Sequence, residues 1–192
     1  YIATPIILVG LTILTYIPSL HYAFQFDDEP NILKAYEIRF LTLNDIFLSN
    51  SRWISKWISV WSYHFGKFEP FFYRCANVSF HIITGLIIYY FFFIGLKNLK
   101  ENSFFSENAR TLALLVSGVF LLHPAQTQTV SYIVQGQMEG LAGLFVMATL
   151  LCFLLFNQAK ENIISYVLFF LMYICAFLSC GTKEIAIITP LL

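Results

Sequence analysis

Charge is scarce in this chain. Charged residues make up only 11% of its 192 residues, whereas a soluble domain has about 25%. Hydrophobic residues make up 58%, and the mean hydropathy is +0.72. This composition excludes an ordinary soluble domain and predicts an all-α polytopic membrane protein that lies in a lipid bilayer.

An excess of basic charge is also missing. The 11 Lys and Arg residues balance the 11 Asp and Glu residues, so the formal net charge is zero. A nucleic-acid-binding surface needs a basic patch, and this balance indicates no nucleic acid partner. The cysteines lie in apolar segments without paired metal-ligand spacing, as small hydrophobic side chains do. They are Cys75, Cys152, Cys175 and Cys180.

The first apolar run lacks the basic region and the small-residue cleavage site of a signal peptide. It carries no charge before Asp27, so we interpret it as a membrane span. Because the chain starts without methionine and stops inside an apolar run, we expect the N-terminal part of a longer protein. The apolar runs predict six spans, the last one cut off, at about residues 1–22, 70–96, 111–124, 137–156, 163–180 and 185–192.

Three adjacent carboxylates, Asp27, Asp28 and Glu29, follow the first span and precede Pro30. Acids near lipid are costly, so they constitute a functional-site hypothesis. The alternative is a helix cap with proline in the first helical turn. The three acids also offer the hard oxygen ligands of a divalent cation. That cation is an open alternative, and we assign no other cofactor or metal.

Residues 23–69 form a cap between the first two spans. In its second half Trp53, Trp57 and Trp61 recur every four residues, and serines follow another helical face. This pattern predicts an amphipathic helix that lies in the membrane interface or packs on other protein. Either arrangement makes the segment a structured cap rather than a loose loop.

The second span carries polar residues in its first half. Arg74, Asn77, His81 and Thr84 have the spacing i, i+3, i+7 and i+10, which places them on one helical face. Such a stripe faces protein or a water-filled cavity. Substrate contact and interhelical hydrogen bonding that only holds the bundle together are both open at this point.

Polar residues also follow the third span, which ends at His123-Pro124. The next residues are rich in Gln and Thr, and Gln135, Gln137 and Glu139 come after them. A lipid-facing helix would not carry this polarity, so we expect the turn to line a cavity. Gly136, Gly140 and Gly143 offer a small-residue face for close helix packing.

The alternation of spans gathers the unusual polar groups at one membrane face. The acidic segment, the His123-Pro124 turn and Lys183-Glu184 lie on one side, and the turns near 97–110 and 157–162 lie on the other. This clustering favours an active site at that face. Lys and Arg residues occur on both sides, so their count does not orient the chain.

Taken in order, these motifs resemble the membrane half of the O-mannosyltransferase-like proteins with tetratricopeptide repeats, in the GT-C class of glycosyltransferases. The resemblance rests on an Asp-Asp pair after the first span, a histidine in a proline-started second span, His-Pro-x-x-Thr, and Lys-Glu before a sixth span. It covers essentially the whole chain. The matching residues are Asp27-Asp28, Arg52, Asn77, His81, His123-Pro124-Ala125-Gln126-Thr127 and Lys183-Glu184.

The chain departs from the family pattern at three places. Gln128 and Thr129 replace the usual Glu-Ala after the His-Pro-x-x-Thr motif, and Trp53 replaces the proline after Arg52. Gln137 stands where the family often has an arginine. The missing basic group bears on how a donor phosphate is held and on which donor is used.

The resemblance implies a GT-C-like helical bundle with amphipathic interfacial helices in its first extracytoplasmic loop. It implies inverting transfer of a mannose-like sugar from a polyprenyl-phosphate carrier to a hydroxyl acceptor, a protein Ser or Thr by analogy. Asp27 would be the catalytic base, and Asp28 would orient the acceptor or hold Asp27. Tetratricopeptide repeats are expected further along the full protein. The expected donor-phosphate and substrate-binding residues are Arg52, Arg74, Asn77, His81, His123, Gln126, Glu139, Lys183 and Glu184.

Two other classes of function stay open. A transporter would use His81, Glu139 and Lys183 as an ion path, but it predicts inverted internal repeats, which the two halves do not display. A membrane scaffold would use the acids only as helix caps. For the enzyme we favour a bacterial plasma membrane, or the endoplasmic reticulum membrane in a eukaryote.

Overall fold

The computed structural model describes residues 3–42, 45–47, 51–99, 103–159 and 163–191. Within these ranges every secondary-structure element is a helix or a helical turn, as the composition predicts. The helices are α1 Ala3–Tyr16, α2 Trp53–Gly66, α3 Pro70–Lys97, α4 Phe104–Glu107, α5 Ala109–Leu122, α6 Thr127–Ser131, α7 Ile133–Gln158 and α8 Ile163–Cys180.

Three of these helices, α3, α7 and α8, are long and apolar enough to cross a membrane. The 28 residues of α3 extend about 42 Å at roughly 1.5 Å per residue. The helical stretch Pro5–His21, which contains most of α1, and helix α5 are apolar but shorter. The structure therefore supports a membrane-embedded helical bundle, in agreement with the predicted fold class at this level.

Helix α3 is central and contacts α1, α2, α5 and α7. Small residues let α5 approach it closely: the Ser117 hydroxyl of α5 donates to the carbonyl of Gly85 in α3 at 2.7 Å. A Cβ on Gly85 would collide with the Leu121 side chain. Small side chains with interhelical hydrogen bonds are what holds helices together in lipid, where burial of apolar surface contributes little.

The helix that corresponds to the fourth predicted span, α7, begins earlier than the predicted residue 137. Helix α7 starts at Ile133, after Tyr132 adopts an extended conformation with ψ of 121°, and it includes a π-helical turn over Gly136–Gly140. Gln137 in this turn is only 1% exposed. Gln137, one of the polar residues that obscured the start of the helix in the sequence, therefore faces protein instead of lipid.

The stretch predicted to begin a sixth span is a 3₁₀ helix over Glu184–Leu191. Hydroxyl groups bind main-chain carbonyls here: Thr182 donates to Ser179 at 2.6 Å, and Thr189 donates to Ala186 at 2.6 Å. Such local side-chain bonds compete with the regular α-helical pattern, which explains the different backbone at this position.

The cap contains the predicted amphipathic helix, α2, and the structure assigns a different role to each half of its tryptophan stripe. Trp57 packs on the buried cluster of Ile38, Ile46 and Val60 in the cap. Trp61 is 47% exposed and Phe65 is 67% exposed. The beginning of the stripe thus packs on protein, and its end is open to the surroundings.

The serine face of α2 is its buried face. The Ser55 hydroxyl donates to the carbonyl of Thr182 at 3.0 Å, and the N–H of Ile54 donates to the carbonyl of Gly181 at 3.0 Å. A Cβ on Gly181 would lie 2.6 Å from Nε1 of Trp53. These contacts hold α2 against the turn that ends α8, so the cap is fixed to the bundle.

Candidate active site

The site is built around a break in the chain between α6 and α7. The extended conformation of Tyr132 leaves carbonyl groups at the end of α6 and N–H groups at the start of α7 without helical partners. Buried main-chain groups need hydrogen bonds. Side chains from α3 and from the cap supply them.

Asp28 satisfies the N–H groups. Its carboxylate accepts from the N–H of Val134 at 2.9 Å, from Ile133 at 3.4 Å and, within the cap, from Gln25 at 3.3 Å. The side chain is 1% exposed. Burial raises the pKa of the Asp28 carboxyl above its ordinary value, while these N–H donors and the charge of Arg74 oppose the rise.

The alternative interpretation from the sequence, a local helix cap followed by proline, agrees with the structure in the position of the proline but not in the role of Asp28. Pro30 does lie in the first turn of a short π-helical segment, Glu29–Leu33, as predicted. The Asp28 side chain makes no capping bond there. It binds instead to the start of α7, more than 100 residues further along the chain, as the N-terminal cap of a membrane helix.

Arg74 and Asn77 of α3 satisfy the carbonyl groups. Arg74 donates to the carbonyl of Ser131 at 2.9 Å and to that of Ala23 at 2.8 Å, and it also binds the carbonyl of Tyr22. Both side chains are at most 2% exposed. Arg74 thus joins the end of α6 to the beginning of the cap.

The Asn77 amide lies within hydrogen-bond distance of three carbonyls around the break, those of Val130 at 3.3 Å, Tyr132 at 3.2 Å and Ile133 at 3.1 Å. It reaches them because Gly136 has no side chain; a Cβ there would collide with the Asn77 amide. The structure gives Arg74 and Asn77 main-chain partners, and their predicted contacts with a substrate stay a prediction.

His81 lies deeper along the same face of α3 and is 5% exposed. Its Nε2 is 3.0 Å from the carbonyl of Leu121 in the last turn of α5. The ring packs against Phe120, with centroids 4.8 Å apart, and edge-on against Tyr16 of α1. His81 therefore joins α1, α3 and α5 in this arrangement.

Asp27 differs from its neighbour because it is exposed. Its Oδ2 accepts from the amide of Gln135 at 3.4 Å, and its carbonyl accepts from the Asn31 amide at 2.7 Å. It lines a cavity of about 430 Å³ whose other lining residues include Gln128 and Tyr132. Asp28 also borders this cavity, but its carboxylate is buried and accepts from main-chain N–H groups, whereas Asp27 is exposed.

Phe26, directly before Asp27, has a φ of 49°. Left-handed backbone is unfavourable for a bulky residue, and such strain occurs often at functional sites. The Phe26 ring lies edge-on to Tyr132, with centroids 5.4 Å apart. This conformation turns the chain where the exposed and the buried carboxylate separate.

Lys183 and Glu184, the predicted Lys-Glu motif, bind different partners. Glu184 forms an ion pair with Arg52, whose Nε lies 2.9 Å and 3.0 Å from its two oxygens. The hydrogen bond from Arg52 lowers the pKa of the Glu184 carboxyl to about 2. Lys183 forms an ion pair with Glu139 in the π-helical turn of α7.

These ion pairs and hydrogen bonds bring together two of the three groups that the sequence predicts to cluster, the acidic segment and Lys183-Glu184. The cap contacts α7 through Asp28 and the turn after α8 through Arg52, and α7 contacts the same turn through Glu139. The third acid, Glu29, pairs with Lys34 at 2.9 Å and is exposed. That the His123-Pro124 turn belongs to the same cluster stays a prediction.

His123 and Gln126 lie in the turn after α5, where His123 Nδ1 accepts from the N–H of Ala125 at 3.1 Å. His123 is exposed and Gln126 is half-buried. His123 and Pro124 also border a mainly apolar groove of about 660 Å³ between α1 and α5, which Leu8 and Val119 line. Neither residue is brought to Asp27 by a direct contact among the described hydrogen bonds.

A second, smaller cavity of about 150 Å³ lies between α2 and the start of α7. Arg52 and Lys56 line it together with Ser59, Gln137 and Met138. Lys56 is not among the site residues predicted from the sequence. Its position four residues after Arg52, about one helical turn further along the chain, is the signal that would have identified it.

Among the described residues, no group of three or more His, Cys, Asp or Glu side chains is arranged to hold a metal ion. The oxygens of Asp28 accept main-chain N–H groups, and Glu29 pairs with Lys34. The divalent cation considered for Asp27, Asp28 and Glu29 stays an untested prediction.

Comparison with known proteins adds no assignment, because no family model, no curated protein and no solved structure matches the chain. The fold and the composition define the class on their own. In the part of the chain that the structure describes, it is a helical protein with three helices able to cross a membrane and a polar site at one end of the bundle.

Proposed function

We propose that this chain is the membrane part of an inverting glycosyltransferase with a GT-C-like bundle. It moves a sugar from a polyprenyl-phosphate carrier to a hydroxyl acceptor, a Ser or Thr of a protein. The observation that carries the proposal is the separation of two adjacent carboxylates. Both border a polar cavity of about 430 Å³. Asp28 is buried and accepts from main-chain N–H groups there, whereas Asp27 is exposed.

Asp27 acts as the general base. The acceptor hydroxyl attacks the anomeric carbon, its proton passes to Asp27, and the bond between that carbon and the phosphate oxygen breaks. The polyprenyl phosphate leaves with the bonding electrons, and the configuration at the carbon inverts. A base for this step must lie within hydrogen-bond reach of the hydroxyl, and the exposed carboxylate permits such an approach.

The leaving phosphate gains negative charge and needs cations or hydrogen-bond donors. Arg52 and Lys183 lie at the same end of the bundle as Asp27, and each is held in place by a carboxylate, Glu184 and Glu139 respectively. A cation at the membrane interface is well placed to meet an anionic lipid headgroup.

The isoprenoid tail needs an apolar surface that reaches the same end of the bundle. The groove of about 660 Å³ between α1 and α5 has this character, and His123 lies at its border. Leu115 and Val119, which line it, are 60% and 62% exposed. The groove is the surface that fits the tail best.

The test uses the full-length protein in lipid nanodiscs with a panel of polyprenyl-phosphate sugars and a Ser- and Thr-containing peptide. Mass spectrometry measures the glycosylated peptide, and NMR determines the anomeric configuration of the product. We expect transfer with inversion from at least one donor. Retention of configuration, or no transfer together with ion flux in the same protein reconstituted into vesicles, contradicts the proposal.

A further inference from the structure

The small cavity between α2 and α7 has the chemistry of an anion site. Its volume is about 150 Å³, which is below the roughly 300 Å³ of a pocket for a drug-sized ligand. The size therefore suits a headgroup. Two cations, Arg52 and Lys56, and the hydroxyls of Ser55 and Ser59 line it, and none of the described lining residues is acidic.

The second observation is an unpaired amide nitrogen on a residue that lines this cavity. Gln137 is 1% exposed, and its Oε1 lies next to the hydroxyl of Ser59. Its Nε2 is buried without a hydrogen-bond partner. Burying an unsatisfied donor costs free energy, and an acceptor atom in the cavity would remove this cost.

Arg52 is already oriented for such a ligand. The carboxylate of Glu184 holds its Nε, and its Nη1 points to the Sδ of Met138 at 3.3 Å. A thioether is a weak acceptor. A phosphate oxygen is a much stronger one, and the guanidinium group matches phosphate geometry.

We infer that this cavity binds the phosphoryl group of the lipid-linked donor through Arg52, Lys56 and the Nε2 of Gln137. The identity of the ligand rests on the proposed function, and the position of its site rests on the geometry of the cavity. The cavity lies next to the segment that carries Asp27, because Asn31 lines the cavity and its amide donates to the carbonyl of Asp27. Val134 also lines it and donates to Asp28.

Gln137 of α7 supplies a neutral donor, and Arg52 and Lys56 of the cap supply the positive charge. One phosphoryl group in this cavity can therefore contact both the cap and α7.

The experiment measures binding without turnover. Full-length protein in nanodiscs of neutral lipid is titrated by calorimetry with a short-chain polyprenyl phosphate, the polyprenol of the same length, and inorganic phosphate. The variants are Gln137→Glu, which replaces the amide donor by a carboxylate, and Lys56→Met. The matched control is Lys34→Met, an exposed lysine of the same cap. Melting temperatures are measured for all variants.

We expect both test variants to bind polyprenyl phosphate about tenfold or more weakly, the size of one charge-assisted hydrogen bond, with the control unchanged. If Gln137→Glu does not fold, Lys56→Met decides alone. Binding of inorganic phosphate with the same dependence on Lys56 means that the site recognises any phosphate; binding of the lipid alone means that it also needs the tail. Both results support the subsite.

Unchanged affinity in folded Lys56→Met, or equal affinity of the parent for polyprenol and polyprenyl phosphate, overturns the subsite. Asp27→Asn separates the two proposals, because it should keep the affinity of the parent. A parent that binds the lipid in a Lys56-dependent way but transfers no sugar contradicts the proposed function alone. Transfer that persists with unchanged binding in Lys56→Met contradicts the subsite alone.

Discussion

The carboxylate of Asp28 accepts a hydrogen bond from the main-chain N–H of Val134 at 2.9 Å. This contact joins the cap to the first turn of α7. Arg74 and Asn77 bind carbonyls on the other side of the same break. The break is thus fixed by three side chains, and Asp27 is positioned by its buried neighbour.

The first prediction concerns this anchor. We expect Asp28→Ala to lower the free energy of unfolding by about 1–3 kcal/mol, because the N–H groups of Ile133 and Val134 lose their acceptor while they stay buried. Chemical denaturation in detergent micelles measures the change. Glu29→Ala, an exposed carboxylate next in the chain, is the control. Equal stability of the two variants would show that the anchor does not contribute.

The ion pair of Glu184 predicts a dependence of stability on pH. Its pKa is about 2 in the folded protein, below the ordinary 4.5, so the unfolded state binds more protons between these values. The stabilisation is present above 4.5 and is lost as the pH falls toward 2. We expect the melting-temperature difference between the parent and Glu184→Gln to shrink over this window.

Glu184 is more than half exposed, so salt should screen this ion pair. In an assay at about 1 M salt, charges at the surface are strongly screened. The difference in melting temperature between the parent and Glu184→Gln should therefore be smaller at every pH. Asp28 has the opposite shift, and its contribution cancels in this comparison because both proteins contain it. A difference that does not vary between pH 4.5 and 2 would contradict the assignment.

Lys183 and Glu139 form a partly buried ion pair between the turn after α8 and the π-helical turn of α7. Either single change, Lys183→Met or Glu139→Gln, leaves one charge without its partner. A double-mutant cycle should therefore give a coupling of about 0.5–3 kcal/mol, with the double variant less destabilised than the sum. Additive effects on the free energy of unfolding would show that the two groups do not interact.

Two glycines of α7 provide a matched test of close packing. A Cβ on Gly136 would collide with the Asn77 amide, whereas a Cβ on Gly143 would meet nothing within 4 Å. We expect Gly136→Ala to cost about 1–3 kcal/mol and Gly143→Ala to be neutral or to stabilise by up to about 1 kcal/mol through helix propensity. The reverse order of melting temperatures would contradict the close approach of Asn77.

Much of the helical architecture could be predicted from the sequence, because apolar runs of sufficient length form helices in lipid whatever their neighbours. The predicted spans at 70–96 and 163–180 agree with Pro70–Lys97 and Ile163–Cys180. The start of α7, the fourth predicted span, could not be predicted as accurately. Its first turns carry polar residues whose burial depends on contacts made by Asp28 and Asn77 from elsewhere in the chain.

The sequence could predict that the polar residues of the site cluster, but not which of them are buried in the fold and which are exposed. Composition and the alternation of spans predict that the acids and Lys183-Glu184 lie at one end of the bundle, and the contacts through Asp28, Arg52 and Glu139 agree with this. Which aspartate is buried depends on a hydrogen bond across 106 residues, and no local pattern reveals it. The same holds for Gln137, whose Oε1 accepts from Ser59 of α2 while its Nε2 is buried without a partner.

The most direct test of the account is the rate of sugar transfer by Asp27→Asn in the full-length protein, compared with the parent and with Glu29→Gln. We predict a loss of about 10²–10⁴-fold for Asp27→Asn, the usual contribution of a general base. Melting temperature should stay unchanged, and Glu29→Gln should keep the parent rate. A folded Asp27→Asn protein that transfers sugar at the parent rate would contradict the assignment of Asp27 as the base.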